Sequence, residues 1–131
     1  MEKKNLDWSN LGFGYRQTEQ RYVSNYKDGA WDNGALTEDA TIVLNECAGV
    51  LQYAQTCFEG LKAYTTQDNR IVVFRPDLNE QRMHDSCLRL EIPALPKGRF
   101  VEAVKQVVKA NEAYVPPYGS GATLYIRPYI F

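Results

Sequence analysis

Two arginines carry most of the chemistry that this sequence offers. Arg82 lies in Asn79-Glu-Gln-Arg-Met-His-Asp-Ser86, about one turn into a predicted helix. There a side chain and the backbone N–H groups of a helix N-terminus jointly receive an anion such as phosphate. A guanidinium is suited to that task, because its planar fork meets phosphate or carboxylate oxygens in pairs and a lysine cannot copy it. The competing reading is a solvated or ion-paired arginine on an amphipathic helix. Arg127 interrupts the apolar run Tyr125-Ile-Arg-Pro-Tyr-Ile-Phe131, where a charge is costly to bury without a partner. Strand alternation places Tyr125, Arg127 and Tyr129 on one face, a set that suits a carboxylate, with Arg127 supplying charge and Tyr125 a hydroxyl donor. The alternative is an edge strand whose arginine simply reaches water. Pro128, which has no N–H to give to a ladder, agrees with an edge.

Tyr53 and Phe58 belong to Tyr53-Ala-Gln-Thr-Cys-Phe-Glu-Gly-Leu-Lys-Ala-Tyr64, a stretch without clear periodicity, so they suit either a pocket wall or the core. Glu59, beside Gly60, has the chemistry of a general acid or base, set against the simpler expectation of a solvated carboxylate ahead of a strand. His84 is the single histidine; it has no second histidine with which to share a metal, so no metal site is expected and it reads as a helix-surface or core residue. Cys47, Cys57 and Cys87 are odd in number and too far apart for a CxxC pair. They are expected to be free thiols in a reducing compartment, acting as small buried hydrophobes.

The elements that must position these groups read as an α+β fold, an antiparallel sheet with two main helices packed on it. Arg21 to Tyr26 and the segment after Asp28-Gly29 predict two strands around a tight turn, since Asp-Gly accepts the positive φ of two-residue hairpins. Thr41-Ile-Val-Leu44 is a third candidate strand. Gly60 to Tyr64 and Ile71 to Phe74 flank the polar run Thr66 to Arg70 and predict a hairpin with a longer loop. Pro76 then ends the strand, and Asp77 with Glu80 predicts a capping box for a helix running to about Leu90. Phe100, Val101, Val104, Val107 and Val108 form one apolar stripe on a second helix ending near Asn111. Pro116, Pro117, Gly119 and Gly121 predict a loop before a final strand from Ala122 to Phe131.

Size and charge bound the partners. A chain of 131 residues, 44% hydrophobic and 12% aromatic, fits one domain with its own core. With 15 Lys+Arg against 16 Asp+Glu, the net charge of −1 gives neither a basic field for nucleic acid nor a polybasic surface for membranes. The charged N-terminal residues lead into no apolar run, so neither a signal peptide nor an anchor is expected, and the default location is cytoplasmic.

Three segments, taken in order, carry a resemblance. Tyr-x-x-x-x-Phe-Glu-Gly at Tyr53 to Gly60, Gln-Arg-Met-x-x-Ser at Gln81 to Ser86 with Phe74-Arg-Pro76 before it, and Leu-Tyr-Ile-Arg-Pro at Leu124 to Pro128 resemble motifs of the branched-chain aminotransferases, pyridoxal phosphate enzymes of fold type IV. The likeness runs from about Leu11 to Phe131, and the lead-in Leu11-Gly-Phe-Gly14 is similar to the longer subgroup that includes the animal enzymes. D-amino acid transaminases and aminodeoxychorismate lyases usually carry a Gly-Asp-Gly element before the Phe/Tyr-Glu pair, which is missing here. The resemblance implies that Arg82 binds the phosphate of pyridoxal 5′-phosphate and that Tyr53, Phe58, Phe13 and Tyr125 line an apolar substrate pocket. It implies that Gly60 permits close backbone approach and that Arg127 takes the distal carboxylate of glutamate or 2-oxoglutarate. The implied activity is ping-pong transfer of the amino group of leucine, isoleucine or valine to 2-oxoglutarate, in a homodimer.

In that family the Schiff-base lysine and the acidic partner of the cofactor ring lie downstream, beyond Phe131. Lys62 is not at the position the family uses and reads as a strand residue. Residues 1–131 are therefore expected to be the N-terminal small domain of a longer enzyme, inactive alone, and the ending inside an apolar strand favours a cut. The alternatives are a stand-alone binding module that kept the phosphate and carboxylate sites without catalysis, or another member of the cofactor family with a different substrate.

Overall fold

The computed structural model describes residues 2–131. Its architecture is the expected α+β type. The strands β1 (Arg21–Val23), β2 (Tyr26–Lys27), β3 (Ala30–Trp31) and β4 (Ala35–Thr37) form nested antiparallel hairpins, β2 with β3 inside β1 with β4. Asp28 and Gly29 turn the inner hairpin with φ of 53° and 84°, the pair of positive angles that a type I′ turn requires. The outer pair is held at its neck by Asp32, whose carboxylate accepts from Ser24 Oγ at 2.8 Å and from the backbone N–H groups of Asn25 and Gly34 at 3.0 and 2.9 Å.

Thr41 to Leu44 forms no strand. No neighbouring strand reaches it, and β-branched residues make a strand only where a ladder and a packed face exist; Val43 stands almost fully in solvent. A short helix not foreseen in the sequence, α1 (Gly49–Tyr53), follows and ends at Ala54 in the left-handed region. Then come β5 (Cys57–Phe58), β6 (Leu61–Thr65) and β7 (Ile71–Val73), the last two joined as the expected hairpin, with Thr66 N–H bonded to Arg70 O at 2.8 Å across the loop.

The first long helix, α2 (Pro76–Arg89), starts where expected, but the capping box is absent. Arg75 is the N-cap with φ of 42° and no side-chain cap bond. The Asp77 carboxylate is taken by Arg75, with Nε to Oδ1 at 2.9 Å and Nη2 to Oδ2 at 2.7 Å. Glu80 reaches across to the second long helix, α3 (Arg99–Ala110), where its Oε1 accepts the N–H of Gly98 at 2.7 Å and of Phe100 at 3.3 Å. The motif thus caps a different helix from its own.

After a 3₁₀ turn at Glu112–Tyr114, the expected single final strand is two, β8 (Leu124–Ile126) and β9 (Tyr129–Ile130). Pro128 cannot continue the ladder, and the chain changes partner there: β8 lies at the edge of a sheet ordered β7-β6-β8, while β9 pairs with β5. Among the described residues the strands make four small antiparallel sheets rather than one.

Both main helices pack on this framework. From α3 the stripe buries Phe100, Val104 and Val108, with Val101 and Val107 half-buried at its margin; α2 contributes only Met83 and Cys87. Leu61 and Ala63 of β6 meet them, with Ile126 and Ile130 from the last strands. Asn111, 2% exposed, closes the end of α3. Its Nδ2 donates to Gln20 O at 2.7 Å and Val107 O at 2.8 Å, and its Oδ1 accepts Gln20 N–H at 3.0 Å, which fastens the segment leading into β1. Replacing Asn111 by Ala strands both Gln20 backbone groups and is expected to cost about 1–3 kcal/mol, read as a lower urea midpoint with unchanged slope.

Candidate functional site

Glu59 is where the sequence expectation fails most usefully. It sits between β5 and β6, and instead of being solvated its side chain is 3% exposed. Arg82 of α2 meets it in a fork, Nε to Oε1 and Nη2 to Oε2, both at 2.6 Å. Asn79, one turn earlier on the helix, donates Nδ2 to Oε2 at 2.8 Å, and the Glu59 amide donates to Pro128 O at 2.9 Å. The Arg82 hydrogen bonds hold the Glu59 carboxyl below the usual carboxylate range, against the opposing effect of burial. Glu59 is thus a fixed anion rather than an acid or base awaiting a proton. Nothing local in the sequence marks it, because its partner is far along the chain on a different element.

Arg82 lies more than a turn past the helix start at Pro76, further in than expected. It is both ion-paired and available: the side chain is 69% exposed, and its Nη1 has no hydrogen-bond partner among the described residues. With Ser86 and Arg89 it lines an open groove of about 550 Å³, completed by Cys57, Asp85 and Leu90. Two guanidiniums and a hydroxyl against one carboxylate make a donor-rich wall, and this donor set fits a phosphate group.

Arg127 projects on the other arm. Tyr125, Arg127 and Tyr129 lie exposed while Ile126 and Ile130 are buried, so the predicted face survives the break at Pro128. The Arg127 guanidinium lies over the Phe58 ring at 4.8 Å and over the Tyr125 ring at 5.2 Å, and Nε and Nη2 make long bonds to the Tyr125 hydroxyl at 3.4 and 3.3 Å. Its charge is supported by aromatic faces and has no carboxylate partner among the described residues, which leaves it open to one from outside. Gly60 makes room for this arrangement: a Cβ at that position would stand 2.7 Å from the Tyr125 hydroxyl oxygen, so the ring would have to shift. The structure therefore gathers Phe58, Gly60, Tyr125 and Arg127, and ties Arg82 to the intervening Glu59.

The other predicted residues stand apart. Tyr53, at the end of α1, is 86% exposed and Phe13 is 98% exposed, and neither lines the Arg82 groove. Lys62 is opposite Tyr125 in the β6–β8 register and shares its face. His84 is half-exposed on α2 beside Asp85, and no cluster of metal-ligating side chains exists among the described residues. The cysteines are free as expected, but only Cys87 is a fully buried hydrophobe; Cys57 is half-buried, and Cys47 is exposed at the end of a run of exposed residues, 38–47. Burial, with the Cys57 thiol 3.8 Å away, pushes the Cys87 thiol up to about 12. No helix among the described residues is long and apolar enough to cross a membrane.

No family model matches the chain. Over 127 residues, 97% of this chain, it is 51% identical to the branched-chain-amino-acid aminotransferase of Haemophilus influenzae and 45% identical to that of Helicobacter pylori, in each case 37% of the relative. It is also 44% identical over 128 residues to the methionine aminotransferase of Arabidopsis thaliana, 97% of this chain and 36% of that one. The chain spans about a third of the length of these curated relatives.

Glu59 sets a pH dependence of stability. Its carboxyl titrates lower when folded than when unfolded, so the stabilisation is present above about pH 4.3, the unfolded value, and is lost as pH falls through the depressed folded value. Other acids contribute similar slopes, so the comparison is with Glu59→Gln. The wild-type advantage in urea-unfolding free energy is expected to shrink steadily as pH falls below about 4.3, and a constant gap at every pH would contradict this.

Proposed function

The chain belongs to the branched-chain aminotransferase family, and on that premise we propose that it is the N-terminal small domain of a pyridoxal 5′-phosphate enzyme. That enzyme moves the amino group of leucine, isoleucine or valine to 2-oxoglutarate. The observation that carries this reading is the convergence of Arg82 and Arg127 on the consecutive residues Glu59 and Phe58. One cation would take a phosphate and the other a carboxylate, from supports on adjoining residues of one segment.

Bound pyridoxal 5′-phosphate supplies the electron sink for amino transfer. The chain's own residues would do the holding. Arg82, with its free Nη1 edge, grips the phosphate, helped by Ser86 and Arg89 along the groove. Phe58, Gly60 and Tyr125 form part of the substrate wall, against which an aliphatic side chain loses water. Arg127 serves the other half of the exchange: the distal carboxylate of glutamate or 2-oxoglutarate meets a guanidinium that already rests on two aromatic rings. Tyr53 and Phe13 join this wall once other surfaces of the enzyme cover them. The enzyme works as a homodimer in the cytoplasm, in keeping with three free cysteines. The Arabidopsis relative, named for methionine, favours a second reading of the substrate, an unbranched apolar side chain on the same wall; the ratio of kcat/KM for leucine to that for methionine decides between them.

Two measurements on the complete enzyme test the assignment. Arg127→Ala is expected to lower kcat/KM about 10- to 100-fold for glutamate, the worth of a charge-assisted pair, and much less for leucine; equal losses would remove Arg127 from the carboxylate site. Arg82→Ala is expected to weaken cofactor binding at least about tenfold on the same scale. For the chain alone we expect no transamination. After pyridoxal 5′-phosphate and borohydride, peptide mapping should find Lys62 labelled no more than other exposed lysines, and selective labelling of Lys62 would place catalysis in this domain.

A further inference from the structure

Glu59 is the one charged side chain buried among the described residues, and it touches the arginine assigned to the phosphate. Accepting that assignment of Arg82, we propose that Glu59 is a positioning residue for cofactor binding: its carboxylate grips the Nε–Nη2 edge of Arg82 and so presents the Nη1 edge to the phosphate. Three observations fix the grip. Both bonds to Arg82 are 2.6 Å, Asn79 orients the carboxylate from the same helix at 2.8 Å, and the Glu59 backbone is tied to Pro128 O at 2.9 Å. The carboxylate therefore has no freedom to follow the arginine; the arginine follows it.

The physical gain is preorganisation. An exposed arginine loses considerable rotamer freedom when it captures an anion. Here that loss is already met in the folded protein, so the phosphate finds a guanidinium with one edge fixed and the other open. A carboxylate so near an anion site also weakens the field there, which opposes binding. The one-sided geometry, in which Glu59 takes Nε and Nη2 and leaves Nη1, lets the orienting effect win.

The test uses pyridoxal 5′-phosphate and pyridoxal, which lacks the phosphate, as paired probes on the complete apoenzyme. Glu59→Gln is expected to raise the Kd of pyridoxal 5′-phosphate about three- to tenfold, the worth of one immobilised side chain, while leaving that of pyridoxal unchanged. Glu59→Asp keeps the charge but cannot span both nitrogens, and is expected to behave like Gln. Tighter binding by Glu59→Gln would show that the carboxylate competes with the phosphate, and wild-type affinity in Glu59→Asp would show that charge alone matters; either overturns the proposal. If the variants do not fold, the wild-type ¹⁵N-labelled chain decides: Arg82 Nε–Hε should give a distinct, slowly exchanging resonance, and one averaged with the exposed arginines refutes the grip. If Arg82→Ala leaves the cofactor affinity unchanged, the phosphate assignment itself fails. If Arg82→Ala weakens binding and Glu59→Gln does not, only the positioning role falls.

Discussion

An ionised carboxylate withdrawn from water must be given partners by the fold, and at Glu59 two side chains of one helix supply them. Arg82 and Asn79 come from α2, and Pro128 binds the backbone from the break between β8 and β9. Removing such a group from water costs several kcal/mol per ion before any pairing is counted, so the arrangement constrains α2, the β5–β6 junction and the last strands at once. Pro128 has no N–H to give to a ladder, but its carbonyl accepts the Glu59 N–H and so extends the β5–β9 register by one residue.

The two cations differ in how they are supported, and that difference matches what each would bind. Arg82 is paired with a carboxylate on one edge, which sets its direction. Arg127 rests on the faces of Phe58 and Tyr125, which hold the guanidinium plane without neutralising it. A site that must accept a carboxylate in one half of a reaction and an aliphatic side chain in the other benefits from a cation of the second kind, because the aromatic bed remains apolar when the anion is gone.

Local chemistry was legible in the sequence, and remote chemistry was not. The Asp28-Gly29 turn, the α3 stripe and the hairpin across Thr66 to Arg70 follow from backbone preference and periodicity, which act over a few residues. So does the shared face of Tyr125, Arg127 and Tyr129. Several of the failures concern partners far along the chain. Thr41 to Leu44 had the composition of a strand and no ladder to join. Asp77 and Glu80 had the spacing of a capping box, but Arg75 was nearer to one and the α3 amides to the other. Glu59 looked solvated because its partner lies on α2. The motif resemblance identified the family, which local reasoning could not do, but it did not mark these pairings either.

The Glu80 bonds to Gly98 and Phe100 make the first turn of α3 conditional. An ordinary side-chain cap travels with its helix and forms whenever the helix forms; this one exists only when α2 is docked alongside. The α3 N-terminus is therefore complete only in the assembled pair, which couples the first turn of α3 to the docking of α2. Since α2 also carries Arg82, that coupling reaches from the hydrophobic core to the open groove that Arg82 lines, and local loosening of either helix is felt at both.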